Sequence, residues 1–378
     1  MNVIFTCGGT GGHINPALAV ANIWKERHPD SEILFIGGKN NMEEELVPKA
    51  GYPLIALPAY GLERGKSFKA LKMNVRALKS TLGGIQKCKK IIRDFKADVI
   101  VGTGGYASFP ALMAGALMGI PTCVHEANAM PGLTTRLIAD RVDRVLVCFP
   151  ESKNYYRHPD KVEVVGMPVK REFIYTKKED ARKELGLDAR PLVVSAFGSQ
   201  GAKAMDEVTA ELFALEQAAG YPFQHIHAVG CYGWNWMPDY VRGKGVDLEN
   251  NSSITMQEYI YNMPTVMAAA DVIISRAGAS SCNEIAASGT PCVLIPSPNV
   301  TDNHQEKNAR ALADQDAAVL MLEKDCSASA LMEEITRLLT DGERYDRMSK
   351  ALQNMVVIDC AERLCEIMEK LAKQKACK

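Results

Sequence analysis

Thr10-Gly11-Gly12-His13-Ile14-Asn15-Pro16 follows the apolar run Val3-Ile4-Phe5. The apolar run reads as a strand; Asn15 is a good helix N-cap and Pro16 a good first helical residue. A glycine loop with a histidine at its mouth therefore joins a strand to a helix. Such a loop lets backbone N–H groups approach a ligand, and the helix dipole favours an anion there. Gly102-Thr103-Gly104-Gly105-Tyr106 repeats the arrangement after Val99-Ile100-Val101, and Gly198-Ser199-Gln200-Gly201-Ala202 repeats it after Leu192-Val193-Val194. A lone glycine loop is more often just a tight turn. Three, each at a strand end, point to a nucleotide or sugar phosphate.

Working outward, short Val- and Ile-rich runs alternate with helical stretches along the whole chain. In the first half they are Val3–Phe5, Ile33–Ile36, Val99–Val101, Thr122–His125, Val145–Cys148 and Val162–Val165. In the second half they are Leu192–Phe197, His225–Val229, Ile254–Tyr259, Val272–Ser275, Cys292–Ile295 and Ala318–Leu322. This α/β pattern predicts two doubly wound parallel-sheet (Rossmann-like) domains of six strands each. Gly166-Met167-Pro168 is the natural boundary, giving domains at residues 1–165 and 166–344. A last helix, roughly Tyr345 to Lys373 within residues 345–378, is expected to cross back to the first domain. Ligands of such sheets sit at the carboxyl ends of the strands, so a cleft between the domains is the expected site.

A chain of 378 residues suits two domains, and 47% hydrophobic with 24% charged residues is ordinary for a soluble protein. The net charge of −1 predicts no general attraction to nucleic acid. No secretory signal is visible after Met1, and no apolar run approaches the ~20 residues of a membrane span. Eleven scattered cysteines without CxxC pairs read as reduced thiols used as small core residues.

A dinucleotide-binding dehydrogenase fits poorly. The third glycine of GxGxxG would fall at Ile14, and the second strand ends Ile36-Gly37-Gly38 without an acid for a ribose hydroxyl. No Walker P-loop occurs. The second half instead carries Ser275-Arg276-Ala277-Gly278-Ala279-Ser280-Ser281-Cys282-Asn283-Glu284, a strand end, a small-residue turn and a helix beginning near Ser280. A carboxylate at Glu284 can accept both hydroxyls of a ribose diol; the plainer alternative is that it complements the helix dipole. The amide- and imidazole-rich Asp302-Asn303-His304-Gln305-Glu306-Lys307-Asn308 suits sugar hydroxyls, although such a stretch alone is more often a solvated loop and helix cap.

These segments resemble the MurG family, glycosyltransferases of GT-B architecture that make lipid II. The similarity runs over nearly the whole chain through Thr10–Pro16, Gly104-Gly105-Tyr106, His125-Glu126-Ala127-Asn128, Gly198–Ala202, Arg276–Glu284 and His304-Gln305. It implies transfer of N-acetylglucosamine from its UDP donor to lipid-linked N-acetylmuramyl-pentapeptide (lipid I), at the cytoplasmic face of the cell membrane. It implies that Thr10, Gly11 and Gly12 lie beside the donor's sugar or phosphate and that Asn128 contacts the sugar. Ser199 and the backbone around Gly201 hold a phosphate. The main chain at Ile260 pairs with uracil. Ala279, Ser280, Ser281, Cys282, Asn283 and Glu284 surround the nucleoside, and Gln305 with His304 contacts N-acetylglucosamine. Tyr106, Glu126, Gln200 and Arg276 are further expected contacts. The chain departs from the family where Gly-Asn-Pro-Val-Arg is here Gly166-Met167-Pro168-Val169-Lys170. Lys170 keeps the charge for a phosphate without the bidentate fork, with Arg171 as a substitute. The usual double glycine is Phe197-Gly198, and His304 stands where glutamine is more usual.

An α-linked donor and a β-linked product imply one inverting displacement. His13 is the expected general base, because neutral imidazole is matched to pH 7; the alternative is a helix-start histidine bonded to a phosphate or the loop. Glu126 and His125 are reserves. The leaving diphosphate is expected on the Gly198–Ala202 helix start, with charge from Lys170 or Arg276. Asp314-Gln315-Asp316 reads as a solvated turn rather than a metal site, and His225-Ile226-His227 places two imidazoles on one strand face without a third ligand. No metal or cofactor is expected.

From Arg64 to Arg93 there are ten Lys or Arg and no acid, and Phe68, Leu71, Val75, Leu78, Leu82 and Ile85 recur at helical spacing. Residues 64–93 therefore suit an anionic membrane surface, with Gly83-Gly84 as an expected break. The plainer reading is a surface helix whose stripe packs on the sheet. Without base-stacking aromatics, nucleic acid explains the charge less well. Rival activities for the same architecture are a diacylglycerol glycosyltransferase, a UDP-N-acetylglucosamine 2-epimerase and a non-catalytic sugar-nucleotide sensor.

Overall fold

The computed structural model describes residues 1–61 and 67–376. The chain forms two compact units, Met1–Pro168 with Asp359–Lys378, and Val169–Ile358.

The first unit is built on β1 (Asn2–Thr6), β2 (Glu32–Gly38), β3 (Leu54–Leu57), β4 (Val99–Gly102), β5 (Thr122–Glu126), β6 (Arg144–Val147) and β7 (Val162–Val164). All pair in parallel, in the order β3-β2-β1-β4-β5-β6-β7. Six strands were expected here and there are seven. The extra one, β3, is a half-buried edge strand, so it lacks the continuous apolar signature of a strand covered on both faces. Both faces of β1 are buried, with Ile4 packing among Ile36, Ile100 and Val124.

The second unit is built on β8 (Leu192–Ala196), β9 (Gln224–Ala228), β10 (Ile254–Gln257), β11 (Val272–Ser275), β12 (Cys292–Leu294) and β13 (Val319–Leu320). Its parallel order is β10-β9-β8-β11-β12-β13. Counted within each unit, both sheets read 3-2-1-4-5-6, with a seventh strand appended in the first. The order reverses between the first and fourth strands, where doubly wound sheets bind ligands.

Three helix boundaries differ from expectation. The first helix spans Gly11–Arg27, capped at Thr10, instead of starting after Asn15. His13 and Ile14 N–H both donate to the Thr10 carbonyl, at 3.0 and 3.2 Å, so the glycines themselves form the first turn. Pro16 is inside the helix, where its ring leaves the Gly12 carbonyl without its usual donor. The stretch Tyr345–Lys373 is two helices, Gly342–Met355 and Cys360–Ala376, the first in the second unit and the other in the first. The third difference is at Gly83-Gly84, where the Phe68–Phe95 helix runs on unbroken. Gly84 is buried against the Phe109–Leu117 helix; a Cβ there would lie 3.2 Å from Pro110 Cβ. The glycine therefore permits a close helix crossing rather than a bend.

The two halves of that long helix behave differently. Ile85, Cys88 and Ile92 are buried in the core of the first unit. Phe68, at 83% exposure, together with Leu71, Val75, Leu78 and Leu82, faces solvent. The packed-stripe alternative therefore holds only for the C-terminal half. Each exposed side chain forgoes about 1.5–3 kcal/mol of burial. Lys72, Arg76 and Lys79 are exposed among them, while Arg64 and Lys66 lie outside the described residues. Among the described residues no helix is long and apolar enough to cross a membrane.

Candidate active site

In the first unit two glycine loops interlock at the β1–β4 reversal. Gly105 has φ +79°, and a Cβ there would lie 2.1 Å from the Gly8 carbonyl oxygen, so no side chain fits. His13, at the third helical position, places Nδ1 3.0 Å from that same Gly8 oxygen and 3.3 Å from Thr10 Oγ1. A carbonyl only accepts, so Nδ1 carries the hydrogen and Nε2 carries the lone pair. The ring edge lies over Gly104: a Cβ there would be 2.8 Å from His13 Cδ2 and 3.1 Å from Nε2. Thr103 Oγ1 donates to the His13 carbonyl at 2.6 Å. The result is a half-buried imidazole with its tautomer set by the backbone. Gly11 and Gly12 beside it present first-turn N–H groups. Tyr106 OH, in the second loop, accepts from Asn41 Nδ2 at 3.2 Å.

The two reserve bases are excluded by their surroundings. His125 is fully buried, with Nε2 2.8 Å from the Gly166 carbonyl, and burial lowers its pKa. Glu126 is also buried, and its carboxylate accepts from Asn128 N (3.1 Å), Asn128 Nδ2 (3.0 Å) and Gly132 N (3.0 Å). Glu126 is the brace of the loop that presents half-buried Asn128, rather than a group facing substrate.

In the second unit the reversal lies between β8 and β11, and a helix N-terminus follows each. After β8, Gly198 (φ +95°) and Gly201 (φ +81°) form a turn closed by Gly201 N–H to Gly198 O at 3.0 Å. Ser199 and Gln200 are exposed at its tip, and the Lys203–Ala218 helix begins at once. A Cβ on Gly201 would lie 2.1 Å from the Val229 carbonyl. Cys231 N–H donates to Ser199 O and Tyr232 N–H to Gln200 O, both at 3.2 Å. The loop is thus pinned against the segment after β9.

After β11 comes the Ala279–Ser288 helix, capped at Gly278. Ala279, Ser280 and Ser281 are half-buried at its start. Asn283 Nδ2 donates to Ala279 O at 2.8 Å. Cys282 is an exception among the expected contacts. Its side chain is 1% exposed and burial pushes its thiol up to about 12, so it is core. Burial raises the pKa of Glu284, and the ammonium of exposed Lys170 partly offsets this. Arg276 does not offer a free cation for a leaving group. It is buried, bonded to the Ile295 carbonyl (3.1 Å), ion-paired with Glu323, and lies over the Phe197 ring at 5.9 Å.

Ile260, after β10, is 2% exposed, so its side chain is part of the core of the second unit. Asp302 and Asn303 both adopt left-handed φ, +57° and +52°, ahead of the His304–Ala313 helix. Non-glycine residues in that region store strain and cluster at ligand sites. His304 Nδ1 faces the Thr301 carbonyl at 2.8 Å, freeing Nε2, and Gln305 Oε1 accepts from Ser297 N at 2.8 Å, freeing its amide hydrogens. Asp314 to Asp316 form an exposed turn.

Sequence reasoning missed three supports. Thr103 holds the histidine's backbone, Asn308 donates to the Ala277 carbonyl at 3.1 Å, and Glu323 neutralises Arg276. The first two lie inside motifs that drew attention for their neighbours. Glu323 lies far from Arg276 in sequence, with no periodic signal to connect them.

Two parallel sheets of the 3-2-1-4-5-6 order, with glycine-loop helix starts at their reversals, are the double Rossmann-like arrangement of the GT-B class. Residues 3–147 match the glycosyltransferase family 28 N-terminal domain and residues 192–364 its C-terminal domain. The UDP-N-acetylglucosamine–N-acetylmuramyl-(pentapeptide) pyrophosphoryl-undecaprenol N-acetylglucosamine transferase of Acetivibrio thermocellus is 40% identical over 377 residues, covering 100% of both chains. The crystal structure of Acinetobacter baumannii MurG superposes with a TM-score of 0.78 at 25% identity, covering 98% of this chain and 99% of that one. The Neisseria meningitidis UDP-GlcNAc 2-epimerase shares the fold, with a TM-score of 0.68 at 17% identity over 98% of this chain and 100% of that one. The chain belongs to the MurG family of N-acetylglucosamine transferases within glycosyltransferase family 28.

Proposed function

We propose that the chain transfers N-acetylglucosamine from UDP-N-acetylglucosamine to the 4-hydroxyl of lipid I, giving lipid II for peptidoglycan. The observation that carries the chemistry is His13, with Nδ1 turned to the Gly8 carbonyl at 3.0 Å and Nε2 left as an acceptor. In the transfer, the acceptor O4–H proton passes to Nε2 as O4 bonds to the anomeric carbon. The bond from that carbon to the phosphate oxygen breaks, and UDP leaves with the electron pair. The configuration inverts in this single displacement. The first-turn N–H groups of the Lys203–Ala218 helix and the Lys170 ammonium receive the developing charge. Glu284 holds the ribose diol. Gln305 and His304, with free amide hydrogens and a free Nε2, hold the sugar.

The exposed apolar stripe Phe68, Leu71, Val75, Leu78 and Leu82, flanked by Lys72, Arg76 and Lys79, seats the first unit on an anionic bilayer. Each basic residue near such a surface adds about 1 kcal/mol. That stripe favours a lipid-linked acceptor over the soluble substrate of an epimerase and supports the reading of a peripheral enzyme; the cytoplasmic face comes from the family resemblance.

The test is transfer of labelled N-acetylglucosamine to a short-chain lipid I, with and without EDTA, alongside co-sedimentation with anionic vesicles. Labelled disaccharide-lipid in both tubes and vesicle binding that falls with salt are expected. Product that disappears with EDTA would overturn the metal-free mechanism. Isomerised sugar nucleotide without lipid product would overturn the transferase.

A further inference from the structure

The His225-Ile226-His227 strand has no role in the reaction above, yet its two imidazoles belong to a buried row of five polar side chains. Glu216 Oε1 lies 2.7 Å from His225 Nδ1, and His225 Nε2 lies 2.7 Å from Ser195 Oγ. Ser195 Oγ lies 2.7 Å from His227 Nδ1, and His227 Nε2 lies 3.5 Å from Asp206 Oδ1. All five residues are at most 1% exposed.

Four links require four protons. Two neutral imidazoles and one hydroxyl supply three, because ionised carboxylates supply none. With three protons, one of the four links is left unfilled. The widest link shows where. Neither oxygen of Asp206 nor His227 Nε2 has a hydrogen-bond partner, and an unpaired buried carboxylate is costly. A fourth proton shared between Asp206 and His227 closes the chain.

Asp206 is in the first turn of the Lys203–Ala218 helix, whose start is the phosphate loop. The loop's neighbour also touches it: a Cβ on Gly233 would lie 2.9 Å from Asp206 Oδ2. A bare carboxylate there opposes the helix's attraction for an anion; the fourth proton removes that opposition. We propose that Asp206 and His227 form a proton-holding pair that positions and tunes the phosphate loop, taking up a proton when the donor's diphosphate binds. This rests on the reading of Gly198–Ala202 as the phosphate site.

The surroundings leave the pair few rivals. Glu216 and His225 are the titratable groups joined to it through Ser195, and Phe213 packs edge-on against both imidazoles, 4.9 and 6.0 Å between centroids. From the β8 side comes Phe197, 5.9 Å from His227, with Arg276 beyond it paired to Glu323. On the same helix, Lys203 and Glu207 pair with each other near the surface at 3.8 Å. The Ala328–Thr340 helix, packed along it, brings Glu334, which is bridged to Arg344 at 2.6 Å. Burial lowers the pKa of His227, which disfavours an extra proton on that imidazole alone; the proposed fourth proton is one shared with Asp206.

The experiment is calorimetric titration of the full chain with UDP-N-acetylglucosamine, whose diphosphate does not itself titrate near neutrality. Buffers of different ionisation enthalpy, from about pH 6 to about pH 8.5, count the protons taken up. The wild type should take up part of a proton and bind about fivefold more weakly at the alkaline end. Asp206→Asn and His227→Gln should each abolish that uptake and flatten the alkaline slope, while uridine binding stays flat in all. Absence of uptake in the wild type, which needs no variant, overturns the proposal; so does an unchanged slope in Asp206→Asn. Gly201→Val separates the two readings. If it leaves donor affinity unchanged, the phosphate site is wrong. If it abolishes binding while Asp206→Asn keeps the slope, only the proton pair is wrong.

Discussion

The two units share a strand order and use it in opposite ways. In the first, the loop after β1 closes across the reversal: Gly105, after β4, lies against the Gly8 carbonyl. In the second, the loop after β8 closes away from the reversal, Gly201 lying against Val229 after β9. The first arrangement fills the crevice with loop and holds one imidazole rigidly. The second leaves the β8–β11 crevice flanked by two helix N-termini, which suits an anionic ligand. One topology thus builds either a chemical group or a cradle, depending on which neighbour its glycines touch.

This division predicts separable losses. The largest should come from His13→Ala, lowering kcat about 10²–10⁴-fold with donor affinity within a few-fold. Normal turnover would remove His13 as the base and break the comparison. Next is Glu284→Gln, expected to raise the Kd for UDP-N-acetylglucosamine about tenfold while sparing kcat. Burial raises the pKa of Glu284, so its carboxylate protonates at a higher pH than an ordinary glutamate. Wild-type donor binding should therefore weaken as pH falls through that raised value, and Glu284→Gln should lose that acid limb. A kcat defect without a binding defect would place Glu284 on the wrong side of the division. The smallest effect is expected from Gly198→Ala. No atom would meet its Cβ within 4 Å, but its φ is +95°, so the cost is backbone strain of about 1–2 kcal/mol. A thermal melt and a donor titration would show a lower Tm with affinity within a few-fold; lost affinity would mean the loop needs glycine for ligand approach as well.

The alternation of apolar runs was legible because both sheets are covered on both faces, so their strands carry unbroken Val and Ile. The half-buried edge strand Leu54–Leu57 escaped for the opposite reason. The helix start at Gly11 was misread because Asn15-Pro16 is a strong local signal that the Thr10 carbonyl, bonded to His13 and Ile14, overrides. The site's glycines, His13 and Glu284 stood out because their chemistry depends on local spacing. The roles of Glu126, Arg276 and Cys282 depend on what surrounds them in space: three donors, a distant Glu323 and the core. Residue identity alone carries none of that.

The long basic helix has a mechanical consequence. Its buried half, at Ile85, Cys88 and Ile92, is continuous with its exposed half, without a hinge at Gly83-Gly84. From Phe68 to Leu82 the exposed stripe extends about 21 Å. Resting on a bilayer, such a rod fixes the elevation and tilt of the first sheet above the headgroups. On the proposed reading, the imidazole of His13 would then sit at a set height, and an acceptor sugar would be selected by the length of the stalk that lifts it from the lipid.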